Sequence, residues 1–111
     1  MRPPKPVVRV GSTLDDLRAL PVAVRRRFGH ALFVLQQGRS PPSSKTLRGI
    51  RGVLEVSTDI DRNTYRLVVA SHIADALFVS HVFQKRSHHG ISTPAEDIAV
   101  IRSRLRRIGG R

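Results

Sequence analysis

"TYRLVVASHIADALFVSHVFQ" occupies Thr64–Gln84. Two runs rich in β-branched and aromatic residues flank the turn cluster SHIAD. A connection this short joins antiparallel strands, because parallel neighbours need a long crossover. Side chains alternate along each strand, so Tyr65, Leu67 and Val69 share one face and Arg66, Val68 and Ala70 the other. Centring the hairpin between Ile73 and Ala74 sets Arg66 opposite His81, Val68 opposite Val79 and Ala70 opposite Leu77. A slip of two residues keeps the same faces matched. One strand earlier, Leu54 and Val56 fall on the core face, and Glu55 falls with Arg66. The basic segment from Gln84 to His89 leaves the same end of the sheet.

Outward from this hairpin the rest of the chain falls into place. "KTLRGI" and "GVLEVST" precede it as further β-rich runs, with a turn cluster at DIDRN. Earlier still, VVRVG is a short strand closed by Gly11. STLDDLRALP is a short helix that Ser12 or Thr13 can cap, with Asp15 and Asp16 in its first turn, where carboxylates suit the helix dipole. Pro21 opens a longer helix whose Val24, Phe28, Ala31, Leu32 and Leu35 recur at helical spacing; Gly38 ends it. After the sheet, Thr93, Pro94 and Glu96 form a capping box in front of a last helix, with a stripe of Ile98, Ile101, Leu105 and Ile108. The expected architecture is α+β: an antiparallel sheet with its helices packed on one face. Residues 1–111 form a single domain, with 1–6 a lead that has no reason to be ordered.

Composition narrows the chemistry. Twenty Lys and Arg against eight acidic residues give a net charge of +12, which favours a polyanionic partner. No cysteine is present, which excludes a disulfide framework and a thiolate zinc site. No apolar run has the length of a membrane span and no signal-peptide pattern opens the chain, so the cytoplasm is the expected compartment and no membrane partner is expected. Aromatic residues make up 5%, too few for a single-strand binder that works by base stacking.

Several blocks resemble the phage-derived HigB-like toxins of the RelE/ParE superfamily: "VRVGSTLDDLRALPVAVRRRFGHALFVLQQG", "LRGIRGVLEV", "TYRLVV" and "HVFQKRSHHGISTPAEDIAVIRSRL". The resemblance runs from about Val7 to Leu105. It implies a RelE-like fold and a type II toxin that inhibits translation, in a group many of whose members cleave mRNA on the ribosome. It also implies a helix-turn-helix antitoxin as partner.

Metal-independent RNA cleavage uses the 2′-hydroxyl as nucleophile. It needs a base, an acid and positive groups around the phosphorane. Arg66 offers a guanidinium fork for phosphate, His81 an imidazole that titrates near neutrality, and Lys85 an ammonium beside them. These three are the expected catalytic residues. Lys45, Arg48, Arg86, His88 and His89 are the expected contacts to RNA or ribosome. No cofactor and no metal are expected. Each residue has a plainer reading: His81 as strand packing, Arg66 as a cross-strand partner of Glu55, Lys45 and Arg48 as a charged sheet edge. At the level of function, the competing readings are a ParE-like inhibitor that binds a protein such as gyrase, and a basic nucleic-acid-binding module.

Overall fold

Alternating apolar runs joined by two-residue turns build the centre of the molecule. A computed structural model describes residues 3–85 and 93–109. In chain order the elements are β1 (Val7–Arg9), α1 (Thr13–Arg18), α2 (Val22–Gln36), β2 (Ser44–Thr46), β3 (Val53–Ile60), β4 (Asn63–Ile73), β5 (Ala76–Lys85) and α3 (Ala95–Gly109). One five-stranded sheet has the order β1-β5-β4-β3-β2. Strands β2 to β5 are antiparallel neighbours, and β1 joins β5 in parallel, with Val7 beside Leu77. The sheet is therefore mixed rather than antiparallel throughout. The crossover that permits the parallel pair is nearly the whole chain between the two strands.

The turns explain why β3, β4 and β5 meander. Asp61 and Arg62 connect Ile60 to its partner Asn63, and Ala74 and Asp75 connect Ile73 to Ala76. All four turn residues have positive φ, from 49° to 67°. Positive φ at both central residues is what a type I′ turn demands, and its twist matches that of the flanking strands.

The register of the central hairpin differs from the sequence expectation. Arg66 pairs with Phe83 and Val68 with His81, whereas Val69 pairs with Val79 and Ala70 with Phe78. Ser80 is the extra residue of a β-bulge between Val79 and His81, and its hydroxyl donates to the Val68 carbonyl at 3.3 Å. A bulge reverses the inside–outside alternation downstream of itself. Leu77 and Val79 therefore face the Leu67 and Val69 side, while His81 and Phe83 face the Arg66 side. An unbroken alternation would have put all four together with Arg66.

Two cores result, one on each side of the sheet. Val24, Phe28, Ala31 and Leu35 of α2 pack on Val56, Tyr65, Leu67, Val69, Leu77, Val79 and Val82. Ile101 of α3, with Ile98 and Leu105 half-buried beside it, packs on Val53, Val68 and Ala70 and on Leu47. The helices thus cover both faces instead of one, because β4 is apolar at every position from Leu67 to Ala70 and both of its faces need covering. Thr93 donates its hydroxyl to Glu55 Oε2 at 2.6 Å, and the Pro94 carbonyl accepts from Asp97 and Ile98.

The lead is tied to the sheet as well. Lys5 Nζ donates to the Ser71 carbonyl, Gln36 donates to the Lys5 carbonyl, and the Leu77 amide donates to the Pro6 carbonyl. Among the described residues no helix is long and apolar enough to cross a membrane.

Candidate functional site

On the α3 side of the sheet, β3 and β4 bring one acid and one base into a dry position. Glu55 sits between Leu54 and Val56 at the apolar start of β3 and is fully buried. Arg66 lies diagonally across from it, since its direct partner on β3 is Ser57. Arg66 Nη1 donates to Glu55 Oε1 at 2.9 Å, and the side-chain exposures are 6% and 0%. Taking both charges out of water is costly, and the close, charge-assisted bond offsets that cost only when further groups complete the set. Thr93 supplies one such bond to Oε2. Lys45, on the edge strand β2, places its Nζ 4.0 Å from Oε1 while remaining half exposed.

Lys85 ends β5 next to this pair. Partial burial holds its amine below the ordinary lysine value of 10.5, the Arg66 guanidinium adds to the lowering, Glu55 opposes it, and Lys45 contributes a smaller lowering. The buried carboxylate thus pairs with Arg66 and lies within electrostatic reach of Lys45 and Lys85, an arrangement with cationic excess. Beside it opens a cavity of about 670 Å³ lined by Lys45, Leu47, Arg48, Glu55, Thr93 and Ile98. Its floor is charged and its walls, Leu47 and Ile98, are apolar. An anionic group with a flat apolar part would be accommodated there.

Of the residues singled out in the sequence, the structure brings Arg66, Lys85, Lys45 and Arg48 to this one region. His81 sits elsewhere on the same face, against α3. Its Nε2 is 2.8 Å from Asp97 Oδ1, and its Nδ1 is 3.4 Å from Arg104 Nη1. Since a guanidinium only donates, Nδ1 accepts, Nε2 carries the proton, and both ring nitrogens are engaged. The ring also stacks on Phe83 with centroids 4.9 Å apart. The direct partner of Arg66 is Phe83, not His81. Arg86, His88 and His89 lie outside the described residues.

The sequence suggested Glu55 only as a cross-strand partner of Arg66, with no part of its own in the site. The signal was present: a lone acid in the apolar run GVLEV, on the face shared with an arginine of the next strand. Thr93 and Ile98 had no such signal, because their approach depends on how α3 docks. Among the described residues no three His, Asp or Glu side chains gather as a metal site would require.

No curated protein and no solved structure matches the chain. The model of the family described as Phage derived protein Gp49-like matches residues 15–106. That span runs from α1 into α3 and contains Lys45, Arg48, Glu55, Arg66, Lys85 and Thr93. The chain belongs to the Gp49-like family of phage-derived proteins.

Proposed function

We propose that the protein is the toxin of a toxin–antitoxin pair, RelE-like in arrangement, and that it inhibits translation by cutting mRNA on the ribosome without a metal. Membership of a phage-derived family supports the toxin reading, as does the likeness of its sequence blocks to HigB-like toxins. A single observation carries the chemistry: the buried Glu55–Arg66 pair within electrostatic reach of Lys85, with Glu55 lining a cavity that Lys45 and Arg48 make basic.

In this reading the Glu55 carboxylate takes the proton of the substrate 2′-hydroxyl. The freed O2′ attacks the adjacent phosphorus, and the P–O5′ bond breaks. The leaving O5′ takes a proton from the Lys85 ammonium, giving a 2′,3′-cyclic phosphate and a 5′-hydroxyl end. Arg66 neutralises the equatorial oxygens of the phosphorane. Lys85 suits the acid role because an ammonium with a lowered pKa gives up its proton more readily than an ordinary lysine does. Thr93 occupies the second carboxylate oxygen in the free protein, and the substrate hydroxyl replaces it. Lys45 and Arg48 hold the flanking backbone as point charge and fork. His81 fixes α3 to β5 through Asp97 and plays a structural part.

The ribosome supplies alignment that the chain lacks, since it offers charge but few stacking groups. A helix-turn-helix antitoxin is the proposed partner. The test is to map mRNA 5′ ends in a translation extract with the protein and with Arg66→Ala. Cuts at ribosomal A-site codons that disappear with Arg66→Ala or without ribosomes are expected. Translation arrest with intact mRNA would overturn the nuclease reading in favour of a protein-binding inhibitor.

A further inference from the structure

Helix α2 has an outer face that none of the other described residues covers. Val22, Arg26, Gly29 and Phe33 stand at i, i+4, i+7 and i+11 and so form one ridge along the helix. Val22 and Phe33 at its two ends are 52% and 57% exposed, and among the described residues Val8 alone joins them as a large exposed apolar side chain. At the centre of the ridge is a glycine, which weakens a helix interior. A Cβ built at Gly29 would meet nothing within 4 Å. Among the described residues no packing therefore requires a glycine there. A small residue between two apolar ones is what allows the backbone of a second helix to approach closely.

The flanks of the ridge say what kind of helix. Arg25, Arg26 and His30 are exposed, and α2 contains no acidic residue. Arg26 and His30 also line a groove of about 550 Å³ between α2 and β3, whose inner surface is formed by Phe28, Ala31 and Val56. Arg27, further along the same wall, is occupied by bonds to Thr58 and the Asp59 carbonyl. A second copy of the chain is a poor occupant, because it would bring the same cationic face and a net charge of +12. RNA is a poor occupant of a ridge whose centre is glycine and whose ends are apolar.

The geometry points to the α2 ridge and its adjoining groove as a docking surface for a helix of a partner protein, one with an apolar stripe flanked by carboxylates. The partner's backbone crosses at Gly29, its apolar side chains cover Val22 and Phe33 and enter the groove, and its acids meet Arg25, Arg26 and His30. The surface lies on the opposite side of the sheet from Glu55 and Arg66, so it stands whether or not that site cuts RNA.

The experiment titrates the isotope-labelled full chain with a synthetic helical peptide carrying leucines at i, i+3, i+4 and i+7 flanked by glutamates. The comparison ligands are its lysine-flanked twin, an oligouridylate and anionic vesicles. Saturable amide shifts confined to Val22–Phe33 and the groove, seen with the glutamate peptide and absent with its twin, are expected. Gly29→Gln should weaken binding about tenfold without lowering the melting temperature, and Arg26→Glu should do so by a similar factor. Equal binding by Gly29→Gln, shifts centred on Lys45 and Lys85 instead, or stronger perturbation of α2 by RNA or vesicles would each overturn the assignment.

Discussion

Arg66 Nη1 lies 2.9 Å from Glu55 Oε1 with both side chains withdrawn from solvent. The two residues reach each other across a diagonal of the β3–β4 ladder. A pair of this kind is both a structural liability and a chemical tool, and the two aspects separate by mutation. Arg66→Ala leaves Glu55 buried without its main counter-charge, at a cost of about 3–5 kcal/mol in unfolding free energy. Replacing both partners, as Glu55→Leu with Arg66→Met, should recover most of that loss. Urea denaturation of the two variants measures it. Cleavage at a temperature where each is folded should fall by roughly 10²–10³-fold for Arg66→Ala and should not return in the double variant.

Arg66→Lys is the finer probe. A lysine restores the charge next to Glu55 but not the fork, so stability should recover further than rate. Single-turnover cleavage beside a melting curve decides this. Recovery of both to the same extent would mean that Arg66 acts as charge alone.

His81 calls for the opposite pattern. With Asp97 on one nitrogen and Arg104 on the other, removing the ring should loosen α3 from β5 and cost about 1–3 kcal/mol. The cleavage rate of His81→Ala should stay within a few-fold of the parent below its melting temperature. Asp97→Asn should reproduce part of the stability loss. A rate loss of roughly 10²-fold in a fully folded His81→Ala protein would instead give the ring a proton-transfer role.

Lys85 predicts a pH dependence. Its folded pKa is lowered from 10.5, so between the lowered value and 10.5 the unfolded chain binds more protons than the folded one. Stability from this group therefore rises with pH across that window and is lost as pH falls through the folded pKa. Lys85→Met should abolish this rise, seen as a denaturation midpoint that no longer climbs as pH approaches 10.5 from below. Cleavage should decline over the same window as the ammonium acid is lost.

The turn at Asp61 and Arg62 gives a prediction free of the site. Arg62 has φ of 67°, a conformation that glycine adopts without the Cβ penalty. Arg62→Gly should stabilise the β3–β4 hairpin by about 1 kcal/mol, read as a higher melting temperature with unchanged cleavage.

The hairpins and the stripe of α2 were legible because each is a local pattern: two-residue turns between β-rich runs, and apolar residues at helical spacing. The bulge at Ser80 was not, since inserting one residue leaves composition and alternation almost unaltered while reversing every side chain beyond it. What separates His81 from Arg66 in register is the turn, which falls one residue later than expected, at Ala74 and Asp75, and sets Arg66 opposite Phe83. The α3 face was misjudged for a related reason. The run Leu67–Ala70 is apolar at every position, which signals two covered faces rather than one. Arg66, Lys85, Lys45 and Arg48 could be found as charges near one end of the sheet. The carboxylate that organises them could be weighed correctly only once its burial was known.

Arg104 reaches back across the fold to donate to the Ser80 carbonyl and to the Ser12 hydroxyl, and β1 lies along β5. The first and last elements therefore meet on a strand made between them. During synthesis the β3–β5 meander can form from neighbours, but β1 must wait for β5, and the cavity beside Glu55 must wait for Thr93 and Ile98. Closing contacts so far apart in the chain is slow. A chain truncated before Thr93 thus carries Arg66 and Lys85 without the residues that close the cavity beside Glu55.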